Sequence, residues 1–254
     1  MRSDDVPPSA AARTFAWTGA LLFVFSLGYF LFTYAVTFGE TGATPAHRDS
    51  PIGGGWAAPL AIDLALFTTF ALHHSVFARE RIRGWVAALV PPRLERATYV
   101  WIASLLFIAV CAWWQPLHGV AWRLDDGWRW LGYSVQAAGA WLTVRSAAVI
   151  DAFDLAGIRQ LRPAASEDPA HLREIEFKTT GPYGWVRHPI YSGWFLVVFA
   201  APTMTMTRLA FAVISGVYLL AAIPFEERSL RRSAGAAYER YLRDVRWRLI
   251  PRVY

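Results

Sequence analysis

Long apolar stretches alternate with polar connections along this chain. A hydrocarbon core of about 30 Å needs roughly 17–20 apolar residues per helical crossing. Six stretches meet or approach that length: 14–38, 57–77, 98–117, 127–150, 189–204 and 208–225. The last two are separated only by Pro202 and a short polar string, so they fit the arms of a tight helical hairpin. The pattern predicts an all-α fold, a polytopic membrane protein with about six transmembrane helices.

The polar connections divide the chain into three regions. Residues 1–13 form a short N-terminal segment, and residues 14–150 form a region of four transmembrane helices. Residues 151–254 begin with a long polar connection, in which 171–177 predicts a short amphipathic helix. The C-terminal hairpin follows, and then an Arg-rich segment that we expect to be helical as far as Pro251.

Basic residues cluster beside the apolar stretches. The chain has 25 Lys and Arg against 19 Asp and Glu, with 17% charged and 55% hydrophobic residues, which is typical of a membrane protein. With six crossings, most of the cations fall on the side of the two termini, and the positive-inside rule places that side in the cytoplasm. We therefore expect an integral protein of the bacterial inner membrane with both termini cytoplasmic, surrounded by membrane lipids, and no nucleic-acid partner.

The sequence gives no indication of a metal centre. Cys111 is the single cysteine, so an intramolecular disulfide and a cysteine metal cluster are both excluded. His73 and His74 are adjacent and point to different faces of a helix, and the chain has no H-E-x-x-H motif. We expect no metal.

The most informative stretch is 179–194, which reads T-T-G-P-Y-G-W-V-R-H-P-I-Y-S-G-W. Pro189 is well suited to the first turn of a helix. Arg187, His188 and Tyr191 then lie at the N-terminal end of an apolar helix, where free N–H groups and the helix dipole favour an anionic or carboxylate-bearing ligand. The alternative is that the basic residues only set topology and the aromatic residue anchors the helix at the membrane interface.

Two adjacent carboxylates, Glu226 and Glu227, end the second arm of the predicted hairpin. A helical hairpin brings its two ends together, so these carboxylates should neighbour Arg187 and His188. Such a group could bind the amino end of a zwitterionic ligand. The alternative is an interfacial salt bridge of little energetic value.

These residues together resemble a known family. The string G-P-Y-G-W-V-R-H-P-I-Y-S-G-W, followed by F-E-E-R-S-L and A-A-Y-E-R-Y-L, is similar to the C-terminal half of the integral-membrane methyltransferases typified by isoprenylcysteine carboxyl methyltransferase. The resemblance implies S-adenosylmethionine as the methyl donor, bound in a pocket open to the cytoplasm. The cofactor-binding residues that it implies are Tyr183, Arg187, His188, Tyr191, Gly193, Glu226, Glu227 and Tyr238.

More of the chain resembles one bacterial branch of that family, the methanethiol S-methyltransferase type. The strings are F-A-L-H-H-S-V-F-A-R, L-E-R-A-T-Y-V, W-W-Q-P-L, F-D-L-A-G-I-R-Q and A-P-T-M-T, spread over most of 60–250. The branch implies a small or hydrophobic thiol as the acceptor, with methanethiol giving dimethyl sulfide. A lipid, a prenylated carboxylate or an amine remains an alternative acceptor, and a non-catalytic membrane protein that retains the fold is a third interpretation.

A thiol acceptor must lose its proton, because the thiolate is the nucleophile. His74 lies at the cytoplasmic end of its helix and is the first candidate for the base, with Asp154 or Glu227 as substitutes. Arg159 or Arg187 could stabilise the thiolate. The alternative for His74 is a histidine that caps the helix or reaches to the interface.

Overall fold

The computed structural model describes residues 8–40, 55–76, 90–150, 152–161 and 181–254. Its main helices are α1 (Ala10–Phe32), α2 (Ala57–Val76), α3 (Glu95–Trp113), α4 (Asp126–Ile150), α5 (Ala152–Leu155), α6 (Pro189–Phe199), α7 (Met206–Ala234) and α8 (Ala236–Asp244). A π-helical segment, Thr33–Thr37, and a last turn, Phe38–Glu40, continue α1. The amphipathic helix expected at 171–177 lies outside the described residues.

The chain is an all-α membrane protein in its main features. Three segments of the described chain are long and apolar enough to cross a membrane, namely Ala10–Glu40, Pro92–Trp113 and Met206–Ala234. Helix α6 is apolar but has 11 residues, or about 16 Å, which is too short to cross alone. The expected first arm of the hairpin, 189–204, is helical only as far as Phe199, and the six-crossing layout stays a prediction.

Aromatic side chains form the core where α1, α2, α3, α6 and α7 meet. Its largest members are Phe30, Tyr34, Phe38, Phe67, Phe107, Trp114 and Phe211. Phe211 of α7 lies at the centre, with ring centroids 5.0 Å from Trp114 and 5.4 Å from Phe30. Rings at these distances add specific edge-to-face and offset contacts to the area that they bury.

Small residues let α4 and α6 approach closely. A Cβ on Gly193 would lie 2.3 Å from Thr143 Oγ1 and 2.6 Å from the Gly139 carbonyl oxygen. A Cβ on Gly139 would lie 2.7 Å from the Gly193 carbonyl oxygen. Backbone approach of this kind is the usual way in which helices associate within a bilayer. The packing therefore explains Gly193, and its expected contact with a cofactor stays a prediction.

A two-stranded sheet, which the sequence pattern did not predict, closes the end of the molecule beyond α6. Strand β1 (Val120–Arg123) pairs antiparallel with β2 (Thr203–Thr205), so the connection before α4 is tied to the turn of the hairpin. Thr205 then caps α7, because its hydroxyl accepts a hydrogen bond from Arg208 N at 3.2 Å.

The C-terminal segment differs from its expectation. Gly235, with a φ of 48°, ends α7, and α8 ends at Asp244 instead of continuing to Pro251. The chain then returns toward the start of α6, where Arg187 N donates to Trp247 O at 2.8 Å and His188 N donates to Arg248 O at 2.9 Å. These bonds hold the segment from Val245 onward beside the N-terminal end of α6.

Candidate functional site

Polar side chains from α6, α7 and the C-terminal segment meet at one end of the helices. We call this group the carboxylate cluster; its members are Arg187, His188, Tyr191, Glu226, Glu227 and Arg248. Pro189 occupies the first turn of α6 and fixes the direction in which the preceding basic pair enters the helix. The hairpin prediction is confirmed on this point, since the two ends of the hairpin do meet.

Glu227 is the buried centre of the cluster. Its side chain is 1% exposed, and Arg187 Nε donates to its Oε1 at 2.8 Å. Arg248 donates from Nη2 to Oε2 at 3.1 Å and from Nε to Oε1 at 3.3 Å. The hydrogen bond to this carboxylate raises the pKa of Arg248. One carboxylate is thus held between two guanidinium groups, which leaves Glu227 engaged within the protein.

Arg187 is also fixed by the backbone. Its Nη1 donates to Val245 O at 3.1 Å and to Arg246 O at 2.7 Å. The guanidinium therefore links the start of α6, the end of the apolar part of α7 and the C-terminal segment. A planar donor with this many partners is held in one orientation.

Glu226, His188 and Tyr191 form the more open side of the cluster. The Tyr191 hydroxyl donates a short hydrogen bond to Glu226 Oε1, and His188 Nδ1 lies 3.6 Å from Glu226 Oε2. The rings of His188 and Tyr191 are stacked with centroids 5.5 Å apart. Glu226 keeps 40% of its side chain exposed, so its carboxylate is available to a ligand while that of Glu227 is not.

Tyr183 and Tyr238 lie around the cluster as packing residues. Tyr238 is 1% exposed and packs on Tyr241 and Val245. Burial, reinforced by the nearby negative charge of Glu227, raises the pKa of Tyr238 to about 12. The Tyr241 hydroxyl donates to Tyr183 O at 2.9 Å, and burial also raises the pKa of Tyr183. Both predicted residues are near the cluster, and their contact with a cofactor stays a prediction.

His74 adjoins the cluster through a residue that the sequence did not single out. Its Nδ1 and the Tyr99 hydroxyl are 2.5 Å apart, a short hydrogen bond between the end of α2 and the first turns of α3. Tyr99 in turn interacts electrostatically with Glu226 and with Tyr191. The pair of His74 and Tyr99 therefore lies within electrostatic range of the open side of the carboxylate cluster.

Asp154 and Arg159 flank a glycine, Gly157, that packs against the beginning of α3. Gly157, which lies between them in sequence, has a φ of 76°. A Cβ at this position would lie 2.8 Å from Ala97 N. Asp154 Oδ1 accepts a hydrogen bond from Gln160 Nε2 at 2.8 Å. The carboxylate is thus engaged within its own loop, and the proposed chemical roles of both residues stay predictions.

Arg248 and Tyr99 are the residues in and beside the carboxylate cluster that sequence reasoning missed. Arg248 lies within V-R-W-R-L-I-P, which was expected to be helical, so its return to Glu227 had no signal in the hydrophobic pattern. Tyr99 lies within L-E-R-A-T-Y-V, a string already noticed for its resemblance. Within the described residues, no group of three or more His, Cys, Asp or Glu side chains could hold a metal ion.

Comparison with curated proteins identifies relatives that match nearly the whole chain. The chain is 38% identical to the protein named methanethiol S-methyltransferase of Crocosphaera subtropica, covering 93% of this chain and 92% of the relative. It is 34% identical to the protein of the same name from Pseudomonas deceptionensis, covering 94% and 90%. A weaker similarity, 28% identity over 68% of the chain, relates it to Nurim of Homo sapiens.

These relatives and the apolar helices define an integral-membrane methyltransferase. More narrowly, the chain belongs to the methanethiol S-methyltransferase family. No family model matches the chain, and no solved structure matches it. Membership of this family favours the methyltransferase interpretation over that of a non-catalytic membrane protein.

Proposed function

We propose that this protein transfers a methyl group from S-adenosylmethionine to methanethiol and so forms dimethyl sulfide. The observation that carries the proposal is the meeting of Arg187 and His188 with Glu226 and Glu227 at one end of the helices, in a chain that shares 38% identity with a named methanethiol S-methyltransferase. A small volatile thiol partitions readily into apolar surroundings, which suits an acceptor site among membrane helices.

The donor set of the carboxylate cluster fits the methyl donor. When bound, S-adenosylmethionine supplies an activated methyl group on a sulfonium centre. Its amino acid end is a zwitterion, for which Glu226 offers an exposed carboxylate and the N-terminal turn of α6 offers free N–H groups. The stacked rings of His188 and Tyr191 offer an aromatic surface beside them. Glu227 and Arg248 act indirectly on the bound donor, because they hold the Arg187 side chain in place.

The protein must also align the reactants and remove a proton. In the tautomer with its proton on Nδ1, His74 donates to the Tyr99 oxygen and leaves the Nε2 lone pair to accept the thiol proton. The thiolate formed in this way would be the nucleophile, and the bound donor would supply the methyl group to it and leave as the neutral thioether. Arg159 and Arg187 are the cations proposed to stabilise the thiolate. An in-line arrangement away from water supplies most of the acceleration.

We also propose that the carboxylate cluster faces the cytoplasm and that both termini lie on that side of the bacterial inner membrane. The support is the concentration of basic residues beside this end of the helices, which the positive-inside rule places in the cytoplasm. Reporter fusions at the two termini test the orientation. Periplasmic activity of a C-terminal reporter would contradict it.

The decisive experiment is methyl transfer by the detergent-purified protein. Methyl-labelled S-adenosylmethionine is offered methanethiol, larger thiols and a lipid extract in parallel, with His188→Ala as the control for a damaged cofactor site. We expect volatile labelled dimethyl sulfide from the wild-type protein and a strong reduction in the variant. Label found only in the lipid extract would overturn the choice of acceptor, and no transfer to any of the three acceptors would overturn the proposal as a whole.

A further inference from the structure

Two adjoining cavities lie at the end of the molecule opposite the carboxylate cluster. The first has a volume of about 290 Å³, and four of its eight lining residues are charged, namely Arg123, Asp125, Asp126 and Arg129. The second, of about 320 Å³, runs between α1, α4 and α6 and is lined mainly by apolar residues, including Leu31, Ala35, Ala137, Ala140 and Val197. Tyr133, Pro202 and Thr203 line both, so the two cavities adjoin; we call the first the charged part and the second the apolar part of these paired cavities.

The charged part contains both signs without internal pairing. Within the described residues, none of its two arginines and two aspartates forms an ion pair of 4.0 Å or less with another. Arg129 instead lies over the ring of Trp130 at 5.7 Å. Positive and negative groups that face one cavity but do not neutralise each other suit a ligand that is itself zwitterionic.

Arg208 adds a buried cation to the wall of the apolar part. It is 8% exposed and donates from Nε to Tyr34 O at 2.9 Å, from Nη1 to Thr203 O at 2.5 Å and from Nη2 to Ala35 O at 2.6 Å. These are neutral carbonyl groups, two of them from the π-helical segment of α1, and no carboxylate of the described chain lies within ion-pair distance. A buried charge without a counter-ion is expensive, so an anionic group in the cavity would relieve it.

The apolar part opens sideways toward the bilayer. Leu31 of α1 is 50% exposed and Tyr133 of α4 is 51% exposed, although both line the cavity. Trp128 and Trp130, in the first turns of α4 beside the charged part, are 69% and 63% exposed. Exposed tryptophans at the start of a helix are typical of the membrane–water interface, so the charged part lies at headgroup level and the apolar part at acyl-chain level.

From this arrangement we propose that the paired cavities bind one phospholipid with a zwitterionic, primary-amine headgroup. Its phosphate is placed near Arg208 and the arginines of the charged part, and its ammonium donates to Asp125 and Asp126. One acyl chain follows the apolar part along Ala137 and Val197. An ammonium with three N–H donors suits two carboxylates, which is why the proposal names an ethanolamine headgroup. This site is separate from the methyl-transfer site, because α6, about 16 Å long, stands between them.

The test uses the full-length protein, purified in mild detergent, delipidated and titrated with phosphatidylethanolamine or phosphatidylglycerol under native mass spectrometry. Ala137→Phe fills the apolar part, and Ala138→Phe is the matched control, since Ala138 is an equally exposed neighbour that does not line the cavity. We expect one tightly bound phosphatidylethanolamine in the wild type and the control, and an affinity about tenfold weaker in Ala137→Phe, or about 1.4 kcal/mol.

A second variant tests the headgroup independently of the groove. Changing both Asp125→Asn and Asp126→Asn should remove the preference for phosphatidylethanolamine over phosphatidylglycerol and leave phosphatidylglycerol binding unchanged. Asn is chosen because position 126 has a φ of 39°, which Asn tolerates. Methyl transfer should be retained in all variants as evidence of folding. Equal binding of the two lipids by the wild type, or equal effects of Ala137→Phe and Ala138→Phe, would overturn the proposal.

Discussion

Arg187 and Glu227 are forty residues apart in the sequence, yet the Arg187 Nε donates to Glu227 Oε1 at 2.8 Å. Both side chains are at most 10% exposed, so the pair lies away from bulk water. A buried pair of this kind is held by each partner satisfying the other, and removal of one partner leaves an isolated charge. The two ends of the hairpin and the C-terminal segment are therefore joined through the same carboxylate.

We predict that Glu227→Ala destabilises the protein by about 3–5 kcal/mol, because Arg187 and Arg248 lose their common counter-ion. The measurement is unfolding of the purified protein in detergent, followed together with binding of S-adenosylmethionine. Glu239→Ala is the control, since Glu239 pairs with Arg231 at 3.1 Å on the surface and both side chains are about half exposed. That change should cost less than about 1 kcal/mol. Equal effects of the two variants would contradict the central role of Glu227.

Arg248 is predicted to support donor binding from the C-terminal segment. Arg248→Ala removes one of the two guanidinium groups on Glu227 and leaves Arg187 less firmly oriented, so the affinity for S-adenosylmethionine should fall by about tenfold, or 1.4 kcal/mol. Arg246→Ala is the matched control: its side chain is exposed, and the carbonyl that Arg187 uses is unchanged. Equilibrium binding of labelled donor distinguishes them. Identical donor affinities for the two variants would show that Arg248 does not support donor binding.

His74 and Tyr99 are predicted to act together on the proton of the thiol. Tyr99→Phe keeps the ring and removes the hydroxyl that lies 2.5 Å from His74 Nδ1, so it should lower kcat with little change in KM for the donor. His74→Ala should lower turnover most at low pH, where the thiol remains protonated, and recover partly as pH rises and thiolate forms in solution. Rates are measured across a pH series. A pH–rate profile unchanged by His74→Ala would exclude it as the base.

The sequence predicted those contacts of the site that depend on where helices begin and end. Pro189 and the apolar run after it predict where α6 begins, and the hairpin then brings Glu226 and Glu227 to Arg187 and His188, as found. These are consequences of periodicity and of short connections, which a single sequence carries. The predicted base, His74, lies beside this cluster for the same reason, since its helix ends on the same side.

The remaining features of the structure depend on contacts between residues far apart in the sequence, which a local pattern of residues does not encode. The segment after Asp244 is predicted to be helical as far as Pro251, but its backbone pairs instead with Arg187 and His188. Arg208 stands at the start of the predicted second arm, 208–225, and nothing in the local sequence indicates that it is buried against carbonyl groups of α1. Thr203 and Met204 of strand β2 fall within the predicted first arm, 189–204, but pair with β1 instead. In each case the local structure is determined by hydrogen bonds to the backbone of a segment that is distant in the sequence.

The last prediction concerns Gly193, whose role is either close packing of α4 against α6 or contact with the cofactor. A substitution at this position has different effects under these two explanations. It was expected in the cofactor site, but its α-carbon faces α4, where an added Cβ would lie 2.3 Å from Thr143 Oγ1 and 2.6 Å from Gly139 O. Overpacking of this kind costs about 1–3 kcal/mol, because backbone atoms cannot move aside as the end of a flexible side chain can. Gly193→Ala should therefore separate α4 from α6 and lower the temperature of unfolding.

The matched control for this substitution is Gly28→Ala in α1. A Cβ on Gly28 meets nothing within 4 Å in the described structure, so alanine should be neutral or slightly stabilising there through its better helix propensity. Both variants are compared by thermal unfolding in the same detergent and by donor affinity at a temperature where each is folded. A packing role predicts that Gly193→Ala loses stability while the folded fraction binds the donor normally. Weakened donor binding with unchanged unfolding would instead place Gly193 in the cofactor site.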